Sequence, residues 1–148
     1  MSLTVRSVLL GFATGGRSSL GLALLAVTAP DTGGWPTSRW ARGAAVLAAA
    51  GELTGDKLPQ TPSRLAPPAL ASRIAVGAAA GAILAHREGA SRTATLVSAG
   101  LAAAGAGLGS VAGARWRALA ADRIGSDWPG ALAEDALAIS VARYAATA

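Results

Sequence analysis

The sequence predicts an all-α membrane protein, a compact bundle of about five transmembrane helices that forms a single transmembrane domain over residues 1–148. Hydrophobic residues make up 52% of the chain and charged residues 14%, whereas a soluble domain carries about 25% charge. The mean hydropathy is +0.44. The apolar runs consist of Ala, Leu and Gly, without the alternating pattern of a membrane barrel, so helices are the expected spanning form.

Five apolar stretches follow one another along the chain, separated by turn-rich or charged segments. They cover about residues 3–27, 38–58, 68–85, 93–114 and 128–146. A spanning helix needs about 20 mostly apolar residues. The first, third and fourth stretches meet this length, and the second and fifth meet it only if their acidic residues face the protein interior. A water-soluble Ala-rich bundle is the less favoured alternative, because these segments are apolar all round and Ala buries little area.

The composition excludes several classes of site. The chain has no cysteine and a single histidine, His86, so disulfides, thiolate chemistry and multi-histidine metal sites are excluded. We therefore expect no cofactor, no bound metal and no enzymatic activity. A Ser/His/Asp triad is equally unexpected with one histidine on a loop.

The net charge of +5 has two possible explanations. A basic chain often binds nucleic acid, but the thirteen basic residues here are dispersed between the apolar stretches. That distribution is typical of residues lying near anionic headgroups. We expect the lipid bilayer as the main partner, no nucleic acid, and a multi-pass position in the cell membrane.

Charged residues within the apolar stretches mark the candidate site. A charge near the bilayer centre costs about 2.5–3.5 kcal/mol, so such residues usually face the interior and pair. The predicted polar or transport site comprises Arg17, Glu52, Asp56, Glu134 and Asp135. We expect Arg17 to pair with Glu52 or Glu134, and Arg73 also lies inside an apolar stretch. A structural ion pair that fixes helix register explains the same residues.

Glycines at four-residue spacing predict close helix packing. They include Gly77 with Gly81, and a run of three, Gly105, Gly109 and Gly113. Such a glycine zipper lines one side of a helix and lets another backbone approach. It indicates either packing within the chain, or an oligomer interface or pore-lining helix. We expect a homo-oligomer or a partner in a membrane complex.

The sequence also suggests an internal inverted repeat. Small residues precede an arginine in segments 14–19 and 111–116, and an acidic pair follows each one helix later. Helices one and two would then repeat as helices four and five around a central helix. Transporters use this plan widely.

Several motifs together resemble a known family. These are Gly11-Phe-Ala-Thr-Gly-Gly-Arg-Ser-Ser19, Gly51-Glu-Leu-Thr-Gly-Asp-Lys-Leu-Pro59, Thr61-Pro-Ser-Arg64, Pro67-Pro68 and Ala133-Glu-Asp-Ala136. Over nearly the whole chain they resemble the small bacterial integral membrane proteins catalogued as domain of unknown function 4126. The resemblance implies a membrane protein and draws attention to its charged positions, but it implies no substrate.

Three functional hypotheses follow from these observations. The leading hypothesis is a small channel or transporter that passes an ion or small polar solute through the intramembrane arginine and carboxylate site. The alternative is a non-catalytic structural or accessory membrane subunit held by glycine-rich packing. A membrane enzyme acting on lipid headgroups is the third, and it requires carboxylates near the interface.

Overall fold

The computed structural model describes residues 1–30, 38–55, 65–125 and 128–148. Within these residues the chain forms six helices and no strands, which confirms the all-α class. The helices are α1 (Leu3–Gly16), α2 (Leu20–Thr28), α3 (Arg39–Gly55), α4 (Pro67–Arg87), α5 (Arg92–Ile124) and α6 (Trp128–Thr147). They follow the five predicted stretches closely, except that the first stretch contains two helices.

The break in the first stretch lies at Arg17. This residue has an extended backbone, with φ −140° and ψ 106°, so the helix that precedes it stops at Gly16. A second helix begins at Leu20. Because α1 has 14 residues and α2 has 9, each is shorter than the roughly 20 residues that cross a bilayer.

Two helices in the described part of the chain are long and apolar enough to cross a membrane, namely residues 67–87 and 92–123. Helix α5 has 33 residues, which makes it about 50 Å long. The sequence predicted that the fourth stretch would close at Arg115, but α5 continues to a left-handed cap at Gly125, with φ 69°. Nothing in that charged segment prevents a helix, since Arg and Trp are both compatible with one.

This continuation bears on the suggested inverted repeat. Arg17 lies in a helix break, whereas Arg115 lies inside α5 and is exposed. The two segments with similar sequences therefore have different local structures.

Helix α1 lies at the centre of the fold and packs against α4, α5 and α6. Its contact with α5 is close enough to need glycine. A Cβ added at Gly109 would lie 2.1 Å from the Phe12 carbonyl oxygen, and one at Gly105 would lie 2.5 Å from the Val8 oxygen. Small residues at this interface let the two backbones touch.

Helix α4 packs against another side of α5 in the same way. A Cβ at Gly77 would lie 2.7 Å from the Ala106 Cβ, and one at Gly81 would lie 2.5 Å from the Ser98 carbonyl oxygen. These four glycines therefore allow close helix packing within the chain. Gly113, the last of the run of three, is buried and lines a cavity between α1, α5 and α6.

Buried charges and exposed large apolar side chains occur together in this fold. Charged groups are buried, among them Arg6, Arg17 and Arg73, each 6% exposed or less. Large apolar side chains point outward, including Leu47 at 73% exposed and Leu108 at 64%. Charged side chains are rarely buried this fully unless they are paired, and a large exposed apolar surface is typical of a membrane or protein contact.

Candidate functional site

Side chains from four other helices converge on the break between α1 and α2. A helix that stops leaves its last carbonyls without partners, and a helix that starts leaves its first amides without partners. Here both kinds of end occur within residues 15–19. The groups that satisfy them come from α3, α4 and α5, and α6 binds the arginine in the break.

Glu52 of α3 caps the start of α2. Its Oε1 accepts hydrogen bonds from the Ser18 amide at 2.6 Å and the Ser18 hydroxyl at 2.5 Å. Its Oε2 accepts from the Ser19 amide at 2.7 Å and the Ser19 hydroxyl at 2.6 Å. Ser19 makes no side-chain cap of its own. A carboxylate at a helix N-terminus meets the positive end of the helix dipole, so Glu52 is well placed to stabilise this end.

Arg73 of α4 holds the end of α1. Its Nη1 donates to the Gly15 carbonyl at 3.0 Å and to the Gly16 carbonyl at 3.1 Å. Its Nη2 lies 3.4 Å from Glu52 Oε1. Ser110 of α5 donates a further hydrogen bond to the Gly15 carbonyl at 3.1 Å. A cation at a helix C-terminus is favourable, so Arg73 links the two helix ends of opposite polarity.

Arg17, the residue in the break, binds α6. Its Nε donates to Asp135 Oδ1 at 2.7 Å, and its Nη2 contacts the same oxygen. The sequence predicts Glu52 or Glu134 as the partner of Arg17 and does not single out Asp135. The Glu52 carboxylate accepts hydrogen bonds from the two serines and lies beside Arg73.

Glu134 precedes Asp135 on α6 and is also buried, at 8% exposed. A Cβ at Gly16 would lie 3.6 Å from Glu134 Oε1, so this carboxylate lies against the end of α1. It also lines a cavity of about 360 Å³ between α1, α5 and α6. The other lining residues are apolar or glycine, and they include Phe12, Trp116 and Leu137.

The charges gathered at the break do not balance. We define the break cluster as Arg17, Glu52, Arg73, Glu134 and Asp135, all within the described residues. Two arginines against three carboxylates leave one net negative charge when every group is ionised. A cation bound beside the cluster would offset this surplus charge.

Four of the five predicted site residues belong to the break cluster, and Asp56 lies outside the described residues. Sequence reasoning did not include Arg73, Ser18 or Ser19 in the site. Each carried a signal: Arg73 is a charge within an apolar stretch, and the Ser18-Ser19 pair stands directly before the apolar run of α2, as helix-capping residues do.

Comparisons with family models, curated proteins and solved structures give no match for this chain. The resemblance to the family catalogued as domain of unknown function 4126 therefore stays a prediction, and the break cluster is the basis for assigning a function.

Proposed function

We propose that this chain is a multi-pass membrane protein with about five membrane segments, in which α1 and α2 together form one interrupted segment. The buried charges and outward-facing leucines support this arrangement, because lipid solvates aliphatic side chains and does not solvate ions. The 26 positions from Leu3 to Thr28 match the length of one slightly long span. On this proposal α3 and α6 also cross the membrane, with Glu52, Glu134 and Asp135 turned inward.

We propose further that the protein passes a monovalent cation or a proton through the break cluster. The observation that carries this is the helix break itself: interrupted helices with polar groups at their ends form binding sites in many transporters. Glu52 and Arg73 hold the two helix ends, and Asp135 holds Arg17. Glu134 lies at the edge of the cavity, and on this proposal its carboxylate binds the passing ion.

Flux in proteoliposomes tests this function. Native protein and Glu134→Gln would be reconstituted at matched incorporation, and fluxes of protons, alkali cations and a quaternary ammonium ion would be followed under an imposed membrane potential. Asp122→Asn is the matched control, because Asp122 is exposed near the end of α5. We expect flux in the native protein and the control and a loss of flux in Glu134→Gln. Equal flux in Glu134→Gln, or no flux in native protein for any cation, would remove the proposed role.

A structural or accessory membrane subunit is the second candidate, and one observation favours it. Glu52, Arg73 and the Arg17–Asp135 pair have the dense hydrogen bonding of groups that fix helix positions. On this alternative the cluster has no turnover, and the chain would act by assembling with copies of itself or with a membrane partner. Absence of flux together with stable association with a partner would favour it.

A further inference from the structure

The cavity beside the break cluster has features that narrow the class of cation. It lies between α1, α5 and α6 and has a volume of about 360 Å³, within the range of small-molecule sites. Among the described residues that line it, Glu134 alone is charged. The remaining wall is formed by aliphatic, glycine and aromatic residues, so most of any occupant would contact apolar surface.

Small inorganic cations do not suit this wall. Calcium requires six to eight oxygen ligands, and magnesium requires near-octahedral oxygen coordination. A single lining carboxylate among apolar side chains provides neither. A bare alkali ion would likewise lose its hydration shell and gain few oxygen contacts in exchange.

A hydrophobic organic cation would make three favourable interactions in the same cavity. Its apolar body would pack against Leu137 and Val141, and such close contacts add up to a substantial attraction. Its charge would offset the net negative charge of the break cluster. Phe12 and Trp116 also line the cavity, and aromatic rings attract quaternary cations electrostatically.

The Trp116 side chain is held in place on the wall of the cavity. Its indole Nε1 donates a hydrogen bond to the Gly130 carbonyl oxygen at 2.9 Å, which ties α5 to the start of α6. A Cβ at Gly130 would lie 2.5 Å from the Ala120 Cβ, so the two helices already touch there. The ring is therefore held at the edge of the cavity before any ligand arrives.

We propose that this cavity binds a hydrophobic monovalent organic cation, such as a quaternary ammonium or phosphonium ion, with its charge directed toward Glu134. The inference rests on the proposed cation-transport function and names the substrate class of that site. The proposed occupant is a cation of this chemistry, and neither a lipid chain nor a second copy of the protein.

Equilibrium binding of tetraphenylphosphonium to purified protein in detergent tests the proposal, with empty micelles as the blank. Three variants would be compared with native protein. Glu134→Gln removes the charge and keeps the shape. Ala112→Leu places bulk at a lining position, and Ala118→Leu adds the same bulk at an exposed position on the same helix outside the lining. Thermal melts would establish that each variant is folded.

We expect saturable binding to native protein and to Ala118→Leu. Binding to Glu134→Gln and Ala112→Leu should be weaker by at least about tenfold, since each removes one of the two interactions that hold the ligand. Equal binding to native protein and Glu134→Gln would overturn the proposal and indicate an uncharged apolar site, as a lipid chain would use.

The binding result and the flux result separate the two proposals. Flux of protons or alkali cations that depends on Glu134, without phosphonium binding, would overturn this inference and leave the proposed function standing. Phosphonium binding that requires Glu134, without transport of any cation, would uphold the site and overturn the proposed function. Neither binding nor flux, with Ala112→Leu changing the oligomeric state, would overturn both and assign the cavity to a contact between copies.

Discussion

Arg17 and Asp135 are 118 residues apart in the sequence, and Arg17 Nε donates a hydrogen bond to Asp135 Oδ1 at 2.7 Å. Arg17 is 1% exposed, so the pair is shielded from solvent. The bond joins the break between α1 and α2 to the last helix of the chain. The pair thus links the place where the first stretch breaks to the helix that carries Glu134.

Removing both partners of this pair should cost less stability than the two single removals added together. Asp135→Leu leaves a buried guanidinium, and Arg17→Met leaves a buried carboxylate; each should lower the free energy of unfolding by about 3–5 kcal/mol. The double variant leaves neither charge, so its loss should be smaller than the sum of the two. Thermal and denaturant unfolding in detergent would measure all three, and strictly additive losses would contradict a direct pairing.

Removing the Glu52 carboxylate should loosen the start of α2. Glu52→Ala leaves the Ser18 and Ser19 amides without their acceptor, and a buried unsatisfied donor costs about 1–3 kcal/mol. We expect faster hydrogen exchange at the amides of residues 18–20 and a lower melting temperature. Asp122→Asn, which changes an exposed carboxylate, should change neither. Unaltered exchange at these amides in Glu52→Ala would show that Glu52 does not cap α2.

Two glycines on α5 make a matched pair. At Gly109 a Cβ would lie 2.1 Å from the Phe12 carbonyl oxygen, whereas at Gly107 there is no atom within 4 Å. Gly109→Ala should therefore force α1 and α5 apart and reduce the melting temperature and the yield of folded protein. Gly107→Ala should be neutral or stabilising by up to about 1 kcal/mol, because Ala favours a helix. The reverse order of stability would contradict the close approach of α1 and α5.

Arg73 should not be replaceable by lysine. Its Nη1 binds two carbonyl oxygens of α1 while its Nη2 lies beside Glu52. A lysine has one nitrogen and lacks the planar fork that serves both helix ends. Arg73→Lys should lower the melting temperature in detergent, whereas the same change at the exposed Arg143 should have little effect. Equal melting temperatures for the two variants would argue against the linking role of Arg73.

The sequence was sufficient to predict the helical class and the positions of the helices, because long apolar runs bounded by Pro, Gly and charges have few other structures open to them. It was also sufficient to group most of the break cluster, since charges in apolar stretches tend to meet. The break at Arg17 was not predicted. Gly15, Gly16 and the serines permit either a break or a continuous helix, and their tertiary partners decide between the two.

The pairing within the cluster was also beyond the sequence. Glu134 and Asp135 are neighbours of like charge on one helix, so composition and spacing do not distinguish which one meets Arg17. In the folded chain Asp135 accepts a hydrogen bond from Arg17 Nε, and Glu134 also lies on the cavity wall. The rotation of α6 depends on close contacts such as Gly130 against Ala120, which are properties of the folded chain.

The position of the break cluster inside a bilayer is the central claim, and cysteine accessibility tests it most directly. The chain has no native cysteine, so single-cysteine variants give an unambiguous signal. Leu47→Cys, Leu108→Cys and Leu132→Cys probe exposed apolar positions on α3, α5 and α6. Ala90→Cys, in the turn between α4 and α5, is the control. All four would be treated with a water-soluble maleimide from both sides of the membrane.

We expect Ala90→Cys to react from one side of the membrane and the three leucine positions to stay unlabelled until detergent or denaturant is added. Leu132 lies about one turn before Asp135 on α6, so its protection would place that part of the break cluster within the lipid layer. Rapid labelling of all three leucine positions in intact membranes, at the rate of Ala90→Cys, would contradict the membrane assignment and the transport function built on it.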